Sequence, residues 1–139
     1  MPVGPRLWIR RRETFCAAHR LYDPLQSDAD NHTSYGMCAA LHGHNYVLTA
    51  SVSGPVNEKT GMIVSFDDLK GAMGQVIGRF DHTNLNDHPF FKDRMTTVEH
   101  FIQLLWTQLE EALAYPAQLE QLELFETEKN SVVLTRSAS

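Results

Sequence analysis

Three histidines, His19, His42 and His44, are the side chains of this sequence best suited to metal chemistry. His42 and His44 flank Gly43 at the start of a strand-like segment, and residues i and i+2 of a strand point to the same side. His19 lies on an earlier strand-like segment that can pair with this one and add a third nitrogen. Three protein nitrogens and one open position are typical of a catalytic zinc, whereas structural zinc normally has four protein ligands. The alternative is that these are loop histidines that donate to carbonyl groups.

The two cysteines, Cys16 and Cys38, are too few and too far apart for a CxxC redox or zinc-ribbon pattern. Such a low cysteine content fits a reducing compartment. Because the N-terminus also has no apolar signal core, we expect a cytoplasmic location. If the two are not joined in a disulfide, one thiol is free for chemistry. Cys38 is the candidate because His42 follows it by only four positions.

Three further positions carry polar groups that could take part in chemistry. Asp81 directly precedes His82, and a carboxylate beside an imidazole can orient it for proton transfer. Glu126 follows Phe125 at the end of a predicted strand, where its two oxygens could accept hydrogen bonds from an amidine-like edge of a ligand. Thr97 is explained by helix capping. For the other three residues, a solvated helix or strand end is the alternative.

Composition narrows the class of protein. With 139 residues, of which 42% are hydrophobic and 21% charged, the chain is expected to form a single domain spanning residues 1–139. A formal net charge of -5 argues against a nucleic-acid partner, because binding to phosphate backbones needs a basic surface. No run of about 18 apolar residues is present, so no membrane span is predicted.

Alternating apolar residues predict four strands. The first two cover about residues 7–21 and 45–54, with a polar loop over 22–37 between them. The last two cover residues 119–125 and 132–134 and are expected to form a hairpin. Their open edges favour association of subunits by edge pairing.

Between these pairs of strands, the spacing of apolar residues changes to three and four, which predicts two amphipathic helices. Ser65 is placed to cap the first helix, over 66–80, and Thr97 the second, over 98–113. The order strand, strand, helix, helix, strand, strand (ββααββ) is typical of an α+β domain with an antiparallel sheet and both helices on one face.

Nine short motifs lie along nearly the whole chain, at residues 11–21, 27–31, 35–38, 41–46, 61–64, 68–70, 80–86, 97–99 and 125–127. The most specific is the Cys-x3-His-Gly-His block that begins at Cys38. In this order the motifs resemble the 6-pyruvoyl-tetrahydropterin synthase and 6-carboxy-tetrahydropterin synthase family. The resemblance implies the tunnelling fold (T-fold), whose element order agrees with the one predicted above. It also implies a homohexamer of two stacked trimers with active sites at subunit interfaces.

The resemblance assigns a role to each residue singled out above. The three histidines correspond to the zinc ligands of the family, so the implied cofactor is Zn²⁺. Cys38 corresponds to the catalytic cysteine of the family. Asp81 and His82 correspond to the residues that assist it, and they are expected to approach it from a neighbouring subunit. Glu126 and Thr97 correspond to substrate-binding residues, with Glu126 anchoring the pterin ring.

The implied substrate is 7,8-dihydroneopterin triphosphate, and two products are open. Loss of triphosphate with internal redox rearrangement gives 6-pyruvoyl-tetrahydropterin, whereas shortening of the side chain gives 6-carboxy-5,6,7,8-tetrahydropterin, on the path to deazaguanine compounds such as queuosine. The spacing of Cys38 from the histidines resembles carboxy-forming enzymes, and residues 27–31 resemble an insertion of pyruvoyl-forming ones. The carboxy product is the preferred prediction. Two alternatives are a non-catalytic pterin-binding oligomer and a sister enzyme that performs retro-aldol cleavage without loss of phosphate.

Three features depart from the family pattern. His100 replaces the usual asparagine, Ser65 stands where an aspartate is common, and the segment 132–136 lacks the common Tyr-Arg-Gly ending. None of them is among the proposed metal or proton-transfer residues, so they bear on substrate selectivity. The basic residues that would receive the triphosphate are not singled out by any motif.

Overall fold

The computed structural model describes residues 4–137, which form one five-stranded sheet with three α-helices and three short 3-10 turns. The strands and helices are, in chain order, β1 (Ile9–His19), α1 (Asp28–Tyr35), β2 (His42–Ser53), α2 (Phe66–Ile77), β3 (Thr83–Asn84), α3 (Val98–Ala112), β4 (Gln118–Phe125) and β5 (Ser131–Thr135). The strand order across the sheet is β3-β1-β2-β4-β5. The predicted α+β class is confirmed, and the six predicted elements occur in the predicted order ββααββ, with α1 and β3 as additional elements between them.

β1 and β2 form the centre of the sheet and pair antiparallel along the whole of β1, from Ile9 opposite Val52 to His19 opposite His42. Every second side chain of β2 is buried, from Tyr46 to Val52, and Ser51 is also buried, at a register shift in the pairing with β4. This period of two places one face of the sheet against the helices and leaves the other face outside the core. The register also fixes where the three candidate metal ligands lie.

The two amphipathic helices begin where their caps were predicted. The Ser65 hydroxyl accepts a hydrogen bond from the Asp68 N–H at 3.0 Å, and the Thr97 hydroxyl accepts one from the His100 N–H at 3.3 Å. Their buried side chains join those of β1, β2 and β4 in one core. Among residues 4–137, no helix has the length and apolar character needed to cross a membrane. The cytoplasmic location and the single domain stay predictions.

The polar loop predicted over 22–37 is wrong, because its second half forms α1. The Ser27 hydroxyl caps this helix by accepting from the Asp30 N–H at 3.1 Å. Asn31, which is fully buried, ties the helix to the preceding turn: its amide donates to the Asp23 carbonyl at 2.9 Å and accepts from the Asp23 N–H at 2.7 Å. Polar contacts of this kind leave no apolar periodicity in the sequence, so the helix gave no signal of period 3.6.

The four long strands pair antiparallel, as predicted, and the sheet gains one parallel strand that was not predicted. β3, only two residues long, pairs parallel with β1, with Thr83 opposite Ala17 and Asn84 opposite Ala18. A polar strand of this length shows no alternation. The first strands also have different limits, since β1 is shorter than the predicted 7–21 and β2 begins at His42, three residues before the predicted start.

Candidate active site

The register of β1 and β2 brings the three histidines together. His19 lies opposite His42 across the strand pair, and His44 lies opposite Ala17. Their ring centroids are 4.6 Å (His19–His42), 5.1 Å (His19–His44) and 4.8 Å (His42–His44) apart, and one nitrogen from each ring lies within 4.8 Å of the other two. The rings therefore surround one point at the edge of the core.

Two of the rings are oriented by backbone carbonyl groups. The Nδ1 atom of His19 lies 2.7 Å from the Thr96 carbonyl oxygen, and the Nδ1 atom of His42 lies 2.7 Å from the Ala40 carbonyl oxygen. A carbonyl oxygen can only accept, so each Nδ1 carries the proton and donates it. The Nε2 lone pairs of both rings are then free to bind a metal, which is the usual arrangement around metal-bound histidine.

The third ring supplies the best test of whether a metal fits. The Nε2 atom of His44 is buried and has no hydrogen-bond partner. An unpaired buried nitrogen of this kind costs about 1–3 kcal/mol, and a metal ligand bond would satisfy it. Burial lowers the pKa of His44, against the opposing effect of the Glu126 carboxylate, and burial also lowers the pKa of His19 to about 4. Both rings are thus neutral at pH 7, the form that binds metal.

Glu126 lies beside the same three rings, immediately after the end of β4. Its two carboxylate oxygens lie 3.9 Å from the Nε2 atoms of His19 and His44, respectively. The backbone N–H of Glu126 donates to the Asn130 carbonyl at 3.0 Å, which fixes the start of the turn between β4 and β5. A partly exposed carboxylate held next to the metal-binding nitrogens can accept hydrogen bonds from a ligand that reaches the metal.

These groups line a cavity of about 490 Å³, within the size range of small-molecule sites. Cys38 is an exposed free thiol in the 3-10 turn Gly36–Ala39, and the Leu21 N–H donates to its carbonyl oxygen at 2.7 Å. Thr97 reaches the cavity from the start of α3. The structure thus brings six sequence-predicted residues to one cavity: His19, His42, His44, Cys38, Thr97 and Glu126.

Sequence reasoning gave no site role to the other four residues that line this cavity, Leu21, Met37, Val98 and Glu99. Glu99 lies in the first turn of α3 and Met37 lies next to Cys38 with 90% of its side chain exposed. Glu99 belongs to the Thr-x-Glu motif, which is the signal that could have found it. Met37 has no such signal, because its place at the cavity depends on the turn that follows α1.

Asp81 and His82 lie elsewhere in the chain's structure, beside Cys16. The Asp81 Oδ1 atom lies 3.0 Å from the Nδ1 atom of His82 and accepts a hydrogen bond from the Cys16 N–H at 3.1 Å. That backbone hydrogen bond is the main cause that lowers the pKa of Asp81, with a smaller contribution from His82. Within one chain, these two residues do not line the cavity that contains Cys38.

The fold and site can be compared with known proteins. A family model described as 6-pyruvoyl tetrahydropterin synthase matches residues 8–137. A curated relative from Drosophila melanogaster, named 6-pyruvoyl tetrahydrobiopterin synthase, is 38% identical over 136 residues, which cover 95% of this chain and 81% of the relative. The structure of Caenorhabditis elegans 6-pyruvoyl tetrahydropterin synthase matches with a TM-score of 0.85 and 34% identity, covering 99% of this chain and 100% of that one.

A shorter match bears on the choice of product. A putative 6-carboxy-5,6,7,8-tetrahydropterin synthase from Archaeoglobus fulgidus is 44% identical over 50 residues, which cover 36% of this chain and 43% of the relative. The family match spans every strand and helix described above, and the Caenorhabditis elegans structure shares their arrangement. By sequence and fold, this chain belongs to the 6-pyruvoyl tetrahydropterin synthase family of pterin synthases.

Proposed function

We propose that this protein is a zinc-dependent lyase that acts on 7,8-dihydroneopterin triphosphate and releases triphosphate. The observation that carries the proposal is the shared cavity, where three imidazoles converge beside the Cys38 thiol and the Glu126 carboxylate. These groups supply a metal site, a proton acceptor and an anchor for a ring with N–H donors.

The residues that would hold the metal are His19, His42 and His44. Three imidazole ligands suit zinc, and they leave a coordination position for a substrate oxygen. Zinc bound there would act as a Lewis acid toward the hydroxyl groups of the substrate side chain and acidify the neighbouring C–H bonds. The carbonyl groups of Thr96 and Ala40 orient two of the rings for this task.

Cys38 is proposed to accept a proton from the substrate side chain. It lines the same cavity as the three rings, and its thiol is exposed and not bonded to another cysteine. The thiolate is the reactive form of such a residue. The turn that carries Cys38 follows α1, so the segment between β1 and β2 determines where the thiol lies.

Asp81 and His82 are proposed to relay protons to Cys38 of a neighbouring copy in a homohexamer. Two observations support an arrangement of this kind: the pair does not line the Cys38 cavity of its own chain, and 79% of the His82 side chain is exposed. Asp81 holds the Nδ1 side of the ring, which leaves Nε2 directed away from the carboxylate. Such an exposed imidazole is accessible to another subunit.

Glu126 is proposed to bind the 2-amino and ring N–H groups of the pterin. A carboxylate can accept two parallel hydrogen bonds from this edge, which fixes both the position and the orientation of the ring. Because its oxygens lie 3.9 Å from two of the metal-binding nitrogens, a ring held there has its side chain close to the metal. Thr97 borders the same space from the start of α3.

The product is proposed to be 6-pyruvoyl-tetrahydropterin, with 6-carboxy-5,6,7,8-tetrahydropterin as the second candidate. The sequence favoured the carboxy product, and the comparisons do not confirm that preference, since the relatives that align along nearly the whole chain carry the pyruvoyl name. The spacing of Cys38 from the histidines and the 50-residue match to a putative carboxy-forming relative support the second candidate.

The test is to incubate the zinc-loaded protein with 7,8-dihydroneopterin triphosphate, measure triphosphate release and determine the product masses. A product that keeps every side-chain carbon identifies the pyruvoyl branch, and a shortened one identifies the carboxy branch. Cys38→Ala should abolish turnover while zinc stays bound, and Cys16→Ser, a change at the other cysteine, should keep it. Pterin binding without turnover in the zinc-loaded protein would contradict the proposal and favour a non-catalytic binding protein. Cleavage without loss of phosphate would favour the retro-aldol alternative.

A further inference from the structure

A second group of metal-binding side chains lies on the opposite face of the central strands. His19 is buried toward the helices, whereas Cys16, an odd number of positions earlier on β1, points to the other side. Cys16 and His82 line a separate cavity of about 530 Å³. Cys16, Asp81 and His82 offer one sulfur, one oxygen and one nitrogen that all lie within 4.8 Å of one another.

Backbone contacts hold these three residues in place. The Cys16 N–H donates to the Asp81 carboxylate at 3.1 Å, and the His82 N–H donates to the Cys16 carbonyl at 2.7 Å. His82 has a φ of 62°, a left-handed conformation that is unfavourable for a non-glycine residue. The parallel pairing of β3 with β1 begins at the next residue and helps to keep His82 in this conformation.

Two of the three distances between the ligand atoms are close to those of a tetrahedral metal site, and the sulfur and nitrogen atoms lie within 4.8 Å of each other. The Cys16 Sγ atom lies 3.8 Å from the Asp81 Oδ1 atom, and the His82 Nδ1 atom lies 3.0 Å from it. Zinc bond lengths place a sulfur and an oxygen ligand about 3.6 Å apart, and a nitrogen and an oxygen ligand about 3.3 Å apart. Both pairs therefore need to move by only a few tenths of an ångström to share one ion.

We propose that Cys16, Asp81 and His82 form a second metal site, which binds a thiophilic divalent cation such as Zn²⁺ or Co²⁺. Thiolate and imidazole ligands favour this class of ion over Mg²⁺ or Ca²⁺, which prefer oxygen ligands. The ion takes the place of the Nδ1 proton beside Asp81, so binding requires the neutral His82 ring to carry its proton on Nε2. Binding also releases the thiol proton to solvent and forms a metal–sulfur bond. This bond distinguishes the second site from the three-histidine site, which contains no sulfur.

Occupation of this site has a consequence for turnover, which rests on the function proposed above. The ion takes the Asp81 oxygen and the His82 Nδ1 atom, so the pair is no longer able to relay protons. Excess zinc should therefore inhibit the enzyme, although one equivalent in the three-histidine site activates it. Loss of the Cys16 thiol should weaken the inhibition and leave the basal turnover unchanged.

The direct test is to titrate the zinc-loaded protein with Co²⁺ and record the near-ultraviolet charge-transfer band that a cobalt–thiolate bond produces. The band should saturate at one additional equivalent per chain. It should vanish in Cys16→Ser and persist in Cys38→Ser, its matched control. His82→Asn, which keeps the thiol, should weaken Co²⁺ binding at least tenfold. No band, or a band that depends on Cys38 instead of Cys16, would overturn the proposed site.

A second arm measures turnover with increasing excess Zn²⁺ in the unmodified protein and in Cys16→Ser. Inhibition that is at least tenfold weaker in Cys16→Ser supports the inhibitory role, and equal inhibition of both proteins overturns that role. If neither protein turns over substrate at any zinc concentration, the proposed lyase function fails. The cobalt band still decides whether the second metal site exists, so the two failures are distinguishable.

Discussion

The two clusters on either side of the central strands differ in how the chain holds them. The three histidines project from the two longest strands toward the core, and one of their nitrogens is buried without a partner. Asp81 and His82 lie just before a two-residue strand and are largely fixed by backbone hydrogen bonds at an exposed edge. The first cluster has the geometry to bind a metal ion, whereas the second is ordered by its backbone contacts and accessible to another molecule.

This difference in structure suits the two clusters to different tasks: the histidine cluster to metal binding, and the Asp81–His82 pair to proton transfer. The histidine cluster favours a permanently bound ion because the empty site leaves the buried His44 Nε2 atom unsatisfied. An exposed imidazole next to a carboxylate can exchange protons with a partner that arrives from outside. Changes in the two clusters should therefore both reduce turnover, but only changes in the histidine cluster should also reduce the metal content.

The largest effect is expected for His42→Ala. Loss of one of three metal ligands should weaken zinc binding by at least about 100-fold and abolish turnover. Metal analysis and the triphosphate-release assay check this result. His32→Ala, which changes an exposed histidine of α1, is the matched control and should keep both properties. Full zinc content in His42→Ala would show that the ring is not a ligand.

His82→Asn should reduce turnover by about 100-fold, the lower end of the contribution of a general acid or base. Asparagine tolerates the left-handed backbone at this position, so the denaturation midpoint should not change. One equivalent of zinc should remain bound. A loss of zinc together with activity would remove the distinction between the two clusters.

Glu126→Gln should lower kcat/KM by about 10–100-fold, because the exchange removes one of two charge-assisted hydrogen bonds to the pterin ring. Zinc content should stay at one equivalent, which separates anchoring of substrate from metal binding. Glu128→Gln, in the turn after β4, is the control and should behave like the unmodified protein. If both variants had the same kcat/KM, Glu126 would have no part in binding.

A separate effect is expected in the stability of the metal-free protein as pH changes. Burial lowers the pKa of His19 in the folded state to about 4, against 6.5 for the free side chain. Between these values the unfolded chain binds a proton that the folded one does not, so stability should fall by roughly 3 kcal/mol as pH decreases from 6.5 to 4. Urea denaturation at several pH values measures this, and His19→Gln should flatten the slope. An equally steep slope in the variant would assign the effect to other groups.

Much of the histidine site could be predicted from sequence because long strands and capped helices carry regular patterns. The period of two along β1 and β2 placed three rings on one side, and Ser65 and Thr97 marked the starts of α2 and α3. Glu126 follows from the end of a well-patterned strand. Most of these predictions depend on buried positions, which recur at a regular spacing along a strand or helix.

The remainder could not be predicted because it depends on single polar contacts. α1 is held by the Ser27 cap and the buried amide of Asn31, neither of which repeats. The place of Cys16 beside Asp81 depends on the parallel pairing of β3, a strand too short to leave a pattern. The proposed approach of His82 to Cys38 requires a second copy of the chain, so no property of one subunit could predict it.

The central claim is that one zinc ion is bound by His19, His42 and His44 next to Cys38 and Glu126. Anomalous diffraction at the zinc absorption edge, on crystals of the zinc-loaded protein, tests it most directly. The account predicts one strong peak per chain, about 2.0–2.1 Å from one nitrogen of each of the three rings. A strongest peak at any other position, or a site bounded by fewer than these three nitrogens, would contradict it.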